Sequence, residues 1–152
     1  MALNSPDAKR RKQPGKRNRY FTLGEAHRAL PLVQRIAADI QRVELERRDL
    51  VELAGAIPEG AHASREMREI EHSFDKLTER LAHFVEELVM IGVELKDPLR
   101  GLLDFPAIVD GREILLCWQI GEPALAWWHE VDAGYSGRRP ICELECLPAA
   151  VG

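Results

Sequence analysis

Apolar residues in the first half of the chain recur every three or four positions, the spacing of one face of an α-helix. From Leu23 to about Ala54, residues Ala29, Val33, Ile36, Ile40, Val43 and Leu50 follow this repeat, and Arg47 interrupts it. Thr22 and Glu25 stand three apart in front of it, as in a capping box, where hydroxyl and carboxylate each accept a backbone N–H at the helix start. Pro31 removes a donor and crowds the preceding turn, so a kink is expected there. Gly55 and Pro58-Glu59-Gly60 predict the end of the helix and a loop. A second repeat is stricter. Met67, Ile70, Phe74, Leu77, Leu81, Phe84, Leu88 and Ile91 alternate spacings of three and four without a break, and Gly92 supplies the stop. That is a coiled-coil-like seam, with Val85 and Val89 widening it near the end. A short connection between two such helices predicts an antiparallel hairpin, each arm about 40–50 Å long at 1.5 Å per residue.

After Gly92 the period shifts toward two. Val93–Lys96 reads as a short strand, Pro98 and Gly101 as a turn, and Leu102–Val109 as a strand that Pro106 confines to an edge or a bulge. Asp110-Gly111 is a tight-hairpin signal, because a type I′ turn needs positive φ at both central positions. Glu113–Ile120 reads as the return strand, Gly121-Glu122-Pro123 as the next turn and Ala124–Glu130 as a further strand. Gly134, Gly137 and Pro140 mark an irregular loop. The fold class expected is therefore α+β: a long antiparallel helical hairpin (20–92) followed by a small antiparallel β-meander and loop (93–141), in one domain spanning 20–141, with a C-terminal tail at 142–152.

The chain has 152 residues, enough for one domain, and a net charge of −4 that is unevenly spread. Residues 1–19 carry seven bases and one acid, Asp7, for +6; the other 14 bases and 24 acids give −10. The basic stretch is poor in large aliphatic residues, so it reads as a disordered tail. It offers the only route to nucleic acid, and no aromatic residues interleave with its charges as base stacking wants. No apolar run reaches about 18 residues and no apolar signal segment opens the chain, so neither a membrane span nor a secretory signal is expected. Three cysteines do not make a disulfide framework, which points to a reducing cytoplasm.

The words Gly92-Val93-Glu94-Leu95-Lys96-Asp97, Gly101-Leu102-Leu103-Asp104-Phe105-Pro106, Asp110-Gly111-Arg112, Leu116-Cys117-Trp118, Gly121-Glu122, Trp128-His129 and Gly137-Arg138, with Phe21-Thr22-Leu23 at the opening of the first helix, resemble a bacterial family known as domain of unknown function 2203, over about residues 20–141. The resemblance implies this layout and marks the β region as its distinctive part. It brings no reaction with it.

Candidate chemistry concentrates in the β region. Asp104, Glu122 and His129 fall on different strands and turns of one meander and could converge; two carboxylates and an imidazole suit zinc, manganese or iron(II). Glu130 is a spare carboxylate for acid–base work. Trp118, Trp128, Arg138 and Arg139 are candidates for a pocket that takes a small anion. Each residue also has a plain structural reading as part of a satisfied polar network. Gly134-Tyr135-Ser136-Gly137 falls short of a nucleophile elbow because position 138 is arginine. Cys117, between Leu116 and Trp118, reads as a small buried hydrophobe. Cys142 and Cys146, four apart, lack a second ligand pair. Glu69 and His72 share the Glu-x-x-His spacing of di-iron bundles, yet with His83 they fall off the apolar seam, on a solvated face. Two functional readings follow. One is a dimeric binding or assembly module that joins through its helices and meets a protein partner or small anion on the meander. The other is a divalent-metal protein, possessing or lacking catalytic activity, built on Asp104, Glu122 and His129.

Overall fold

The computed structural model describes residue 17 and residues 19–145, the side chain of Glu145 excepted. The rest of the basic tail, with the disorder expected of it, and Cys146 lie outside the described residues.

Helix α1 spans Leu23–Gly55 and helix α2 spans Arg65–Ile91, joined by a loop with a single 3-10 turn at Glu59–Ala61. The reciprocal cap of α1 forms: Glu25 N–H donates to Thr22 Oγ1 at 3.1 Å, and Thr22 N–H donates to Glu25 Oε1 at 3.0 Å. The bond from the Thr22 backbone holds the Glu25 carboxyl below its ordinary pKa. Pro31 stands inside α1 without ending it. Ser64 caps α2 by accepting from Met67 N–H, and Gly92, at φ 99°, closes it in the left-handed conformation that a Cβ would disfavour. The two helices pack on each other as a hairpin. Arg47, the break in the α1 repeat, lays its guanidinium 4.8 Å from the centre of the Phe74 ring and pairs with Glu44 at 2.6 Å. A long cation with an apolar stem thus fills an inter-helix position that an aliphatic residue would otherwise take.

Five strands follow: β1 (Glu94–Asp97), β2 (Leu102–Val109), β3 (Arg112–Trp118), β4 (Trp127–Glu130) and β5 (Arg139–Pro140), all antiparallel and in sequence order across the sheet. β2 has the bounds expected from the sequence; β1 and β3 are shifted by one or two residues at their ends, and the larger differences come later. β4 begins at Trp127 rather than Ala124, and the loop after it contains a 3-10 turn (Tyr135–Gly137) and the short β5. A final turn of helix, α3 (Cys142–Glu145), comes next. The Asp110-Gly111 turn has φ of 53° and 73°, the positive pair its sequence calls for. Pro106 lies in an inner strand, yet β1 pairs with β2 only as far as Asp104. The Pro106 carbonyl faces that same side and accepts Phe21 N–H at 2.7 Å, so the missing Pro N–H interrupts no strand ladder.

The sheet has two distinct faces, because successive side chains alternate. Leu103, Phe105 and Ala107 of β2, Ile114, Leu116 and Trp118 of β3 and Trp128 of β4 join Ala26, Leu30, Val33, Ile36, Ala37 and Ile40 of α1 and Leu88 of α2 in one hydrophobic core. Phe21 meets Phe105 edge-to-face at 5.3 Å. The opposite face carries Leu102, Asp104, Pro106, Glu113, Leu115, Cys117 and His129. These are buried as well, although neither of the two long helices of the described residues lies on this face.

Candidate functional site

The register of the sheet determines which polar residues meet on this second face. Asp104 sits opposite Cys117 across β2 and β3, and Leu115 sits opposite His129 across β3 and β4. His129 reaches diagonally from β4 to Asp104, its Nε2 3.0 Å from Asp104 Oδ1. Its Nδ1 lies 2.7 Å from the Glu130 carbonyl oxygen. Asp104 and His129 are each 2% exposed and Cys117 is 1% exposed, so these groups are largely withdrawn from bulk water. One carboxylate oxygen, the thiol sulfur and one imidazole nitrogen all fall within 4.8 Å of one another.

Both nitrogens of His129 face acceptors, an arrangement that favours the doubly protonated ring. Burial works against that charge. The bonds to Asp104 and to the Glu130 carbonyl, with the charge of Asp104, outweigh it, and the pKa of His129 is raised. Burial, reinforced by the charge of Asp104, pushes the Cys117 thiol up to about 12. A thiol that holds its proton so firmly, beside an imidazole with no free nitrogen, is not an activated nucleophile.

The donor set does fit a divalent cation. Two ligand atoms at about 2.0–2.1 Å from a tetrahedral zinc stand about 3.3 Å apart, so the 3.0 Å between Asp104 and His129 has to open by only a few tenths of an ångström. The bond from His129 Nδ1 to a backbone carbonyl is the outer contact that metal-bound histidines usually make, and it points Nε2 at the site. A bound cation would displace the thiol and imidazolium protons.

Beside this group lies a cavity of about 210 Å³ lined by Lys96, Leu102, Asp104, Leu115, His129, Val131, Gly134 and Tyr135. Nearby on the same face Arg17 pairs with both Glu94 and Glu113, so the buried carboxylate of Glu113 has a cation beside it.

The other residues singled out from the sequence lie elsewhere. Glu122 accepts from Arg138 Nη2 at 2.6 and 2.8 Å and from Gln119 N–H at 2.7 Å. Arg138 also donates to the Cys117 carbonyl at 3.2 Å and stacks on Trp127 and Tyr135. Burial opposes the charge of Arg138, but the bond to Glu122 more than offsets it, and the pKa is raised. This pair ties the Glu122 turn and the Tyr135 turn to β3, so Glu122 is spent on structure and does not join Asp104 and His129. Trp118 and Trp128 fill the core on the other face; Trp118 Nε1–H donates to the Glu122 carbonyl at 3.1 Å. Arg139 stacks on Trp128 and pairs with Glu143 at the surface. Glu130 pairs with Arg112 at 3.1 Å. Glu69 pairs with Arg65 on the outside of α2, where His72 and His83 are exposed too. The group therefore contains two of the three metal candidates, and Cys117, read from sequence as a small hydrophobe, lies beside them.

An α+β protein with a helical hairpin on one face of a meander and a buried Asp–Cys–His group on the other is the class that fold and site define. The family model described as "Uncharacterized conserved protein (DUF2203)" matches residues 19–141, and the chain belongs to that family. No curated protein and no solved structure matches it.

Proposed function

We propose that this protein binds a single divalent metal ion, zinc by its donor chemistry, through Asp104 Oδ1, Cys117 Sγ and His129 Nε2. The observation that carries this reading is the convergence of three buried ligand-type side chains from three strands, with the histidine braced by a carbonyl on its far nitrogen. A thiolate favours zinc over manganese, which prefers oxygen ligands. Three protein ligands leave a fourth position open, the pattern of sites that bind or transform a ligand rather than merely hold a fold together. A thiol ligand needs reducing surroundings, which suits the cytoplasm. Elemental analysis of untagged full-length protein tests the reading. About one zinc per chain is expected, falling below a tenth in both Cys117→Ser and His129→Ala, with α-helical circular dichroism unchanged. Metal-free wild type that takes up no zinc on titration would refute it.

A second reading rests on the hairpin. Ile70, Phe74, Leu81 and Phe84 remain only half-buried on α2, and Leu45, Val51 and Leu53 of α1 are about half exposed. We infer that a second copy of the chain covers this thin seam. Light scattering of the full-length protein at micromolar concentration should give twice the chain mass, and a monomer would remove the inference.

A further inference from the structure

The cavity beside the three ligands has its own chemistry. Once Asp104 is committed to a metal, Lys96 is the one lysine or arginine lining the cavity among the described residues. Its side chain is 43% exposed, and its contact to Glu94 Oε2 is loose at 3.4 Å. Arg17 is bonded to the other oxygen, Glu94 Oε1, and Glu94 Oε2 itself is buried without a hydrogen-bond partner. The contact is longer than a good hydrogen bond, so the Lys96 ammonium can turn toward a ligand that offers a nearer negative charge. The remaining walls are Leu102, Leu115, Val131, the backbone at Gly134 and the Tyr135 ring, whose hydroxyl accepts from Gln119 Nε2–H at 3.1 Å. Arg100 lies 4.1 Å from the centre of that ring and Arg138 4.8 Å, so Tyr135 is held in place as a wall. The cavity, at about 210 Å³, is small. That is smaller than the usual cofactor pocket.

With a metal held by Asp104, Cys117 and His129, the cavity would have that ion at the Asp104–His129 wall, the partly exposed Lys96 as its cation and short apolar walls at Leu102, Leu115 and Val131. From them we propose that the site takes a small monocarboxylate, one oxygen on the metal and the carboxylate charge shared with Lys96, its short alkyl group against Leu102, Leu115 and Val131. This rests on the metal reading of Asp104, Cys117 and His129 and adds the ligand class to it.

Cobalt(II) in place of zinc makes the coordination visible. Full-length protein loaded with cobalt is titrated with acetate and propionate, with propionamide as the uncharged comparator. A saturable change in the cobalt d–d bands is expected with both acids and not with the amide. In Lys96→Met the midpoint should rise about tenfold, the loss of one charge-assisted hydrogen bond, while cobalt stoichiometry stays at the wild-type value. Failure to load cobalt at all would refute the metal reading and this inference with it. Loading without a carboxylate response, an equal response to propionamide, or an unchanged midpoint in Lys96→Met would overturn the carboxylate inference and leave the metal reading standing.

Discussion

At the sheet end, α1 from Ala26 to Ile40 is sealed against β2 and β3, and nearly every inward side chain there is fully buried. Along the distal arm the same two helices have only each other. Val43 is the last buried residue of α1, and Met67 and Leu77 are the only buried residues of α2 before Leu88. The α2 repeat is nevertheless the more regular of the two. Periodicity therefore forecasts where a helix runs but not how much it buries, since burial depends on how many neighbours the fold supplies. Stability is expected to concentrate at the sheet end, while the arm keeps apolar surface for a partner.

Paired truncations break or sharpen that contrast most directly. Phe105 is 0% exposed, between α1 and the sheet, and Phe105→Ala should cost about 3–5 kcal/mol. Leu77 is 8% exposed on the stretch of α2 that packs on α1 away from the sheet, and Leu77→Ala should cost about 2 kcal/mol, the low end for such a change. Urea unfolding followed by circular dichroism measures both. Equal costs would mean that the arm is as firmly built as the sheet end, and the contrast would fail.

Legibility follows the same division. Both helices, the N-terminal cap of α1 and the stop of α2 could be read because local rules set them: a period near 3.6, Thr22 with Glu25, and Gly92; the Ser64 cap of α2 was not read. Most of the meander was readable too, since Asp110-Gly111 marks its tightest turn. The start of β4 was misplaced because Ala124 and Leu125 look strand-like, although Leu125 is buried before the ladder begins. The site was only half legible. Asp104 and His129 stand out as polar residues in apolar strands, whereas Cys117 looks like one more core residue. A signal for it was present: counting equal steps back from the two-residue Asp110-Gly111 turn puts Cys117 opposite Asp104, as the observed register does. Glu122 enters the metal set as a carboxylate on a turn of the same meander, but the register sends it to a different partner. No local rule says that Arg138, sixteen residues later, will claim both its oxygens.

The polar face of the sheet should also respond to pH in a way that the apolar arm does not, and this is the smallest effect predicted. In chelator-treated protein the pKa of His129 is raised in the folded state by Asp104 and the Glu130 carbonyl, against the effect of burial and of Lys96. Its unfolded pKa is about 6.5. A group raised on folding binds its proton more tightly in the native state, so its contribution is complete below the unfolded value. That contribution is lost as pH rises through the folded one. Metal-free wild type should therefore lose stability as pH climbs from about 6 through the folded pKa of His129, relative to Asp104→Asn, which lacks the carboxylate charge and should show a flatter profile. Urea midpoints across that range, in parallel for Leu77→Ala as the arm control, supply the comparison. The arm variant should keep the wild-type slope, because Leu77 lies on α2 and leaves the Asp104–His129 pair of the sheet intact. A slope that persists in Asp104→Asn would show that the Asp104–His129 pair is not its source.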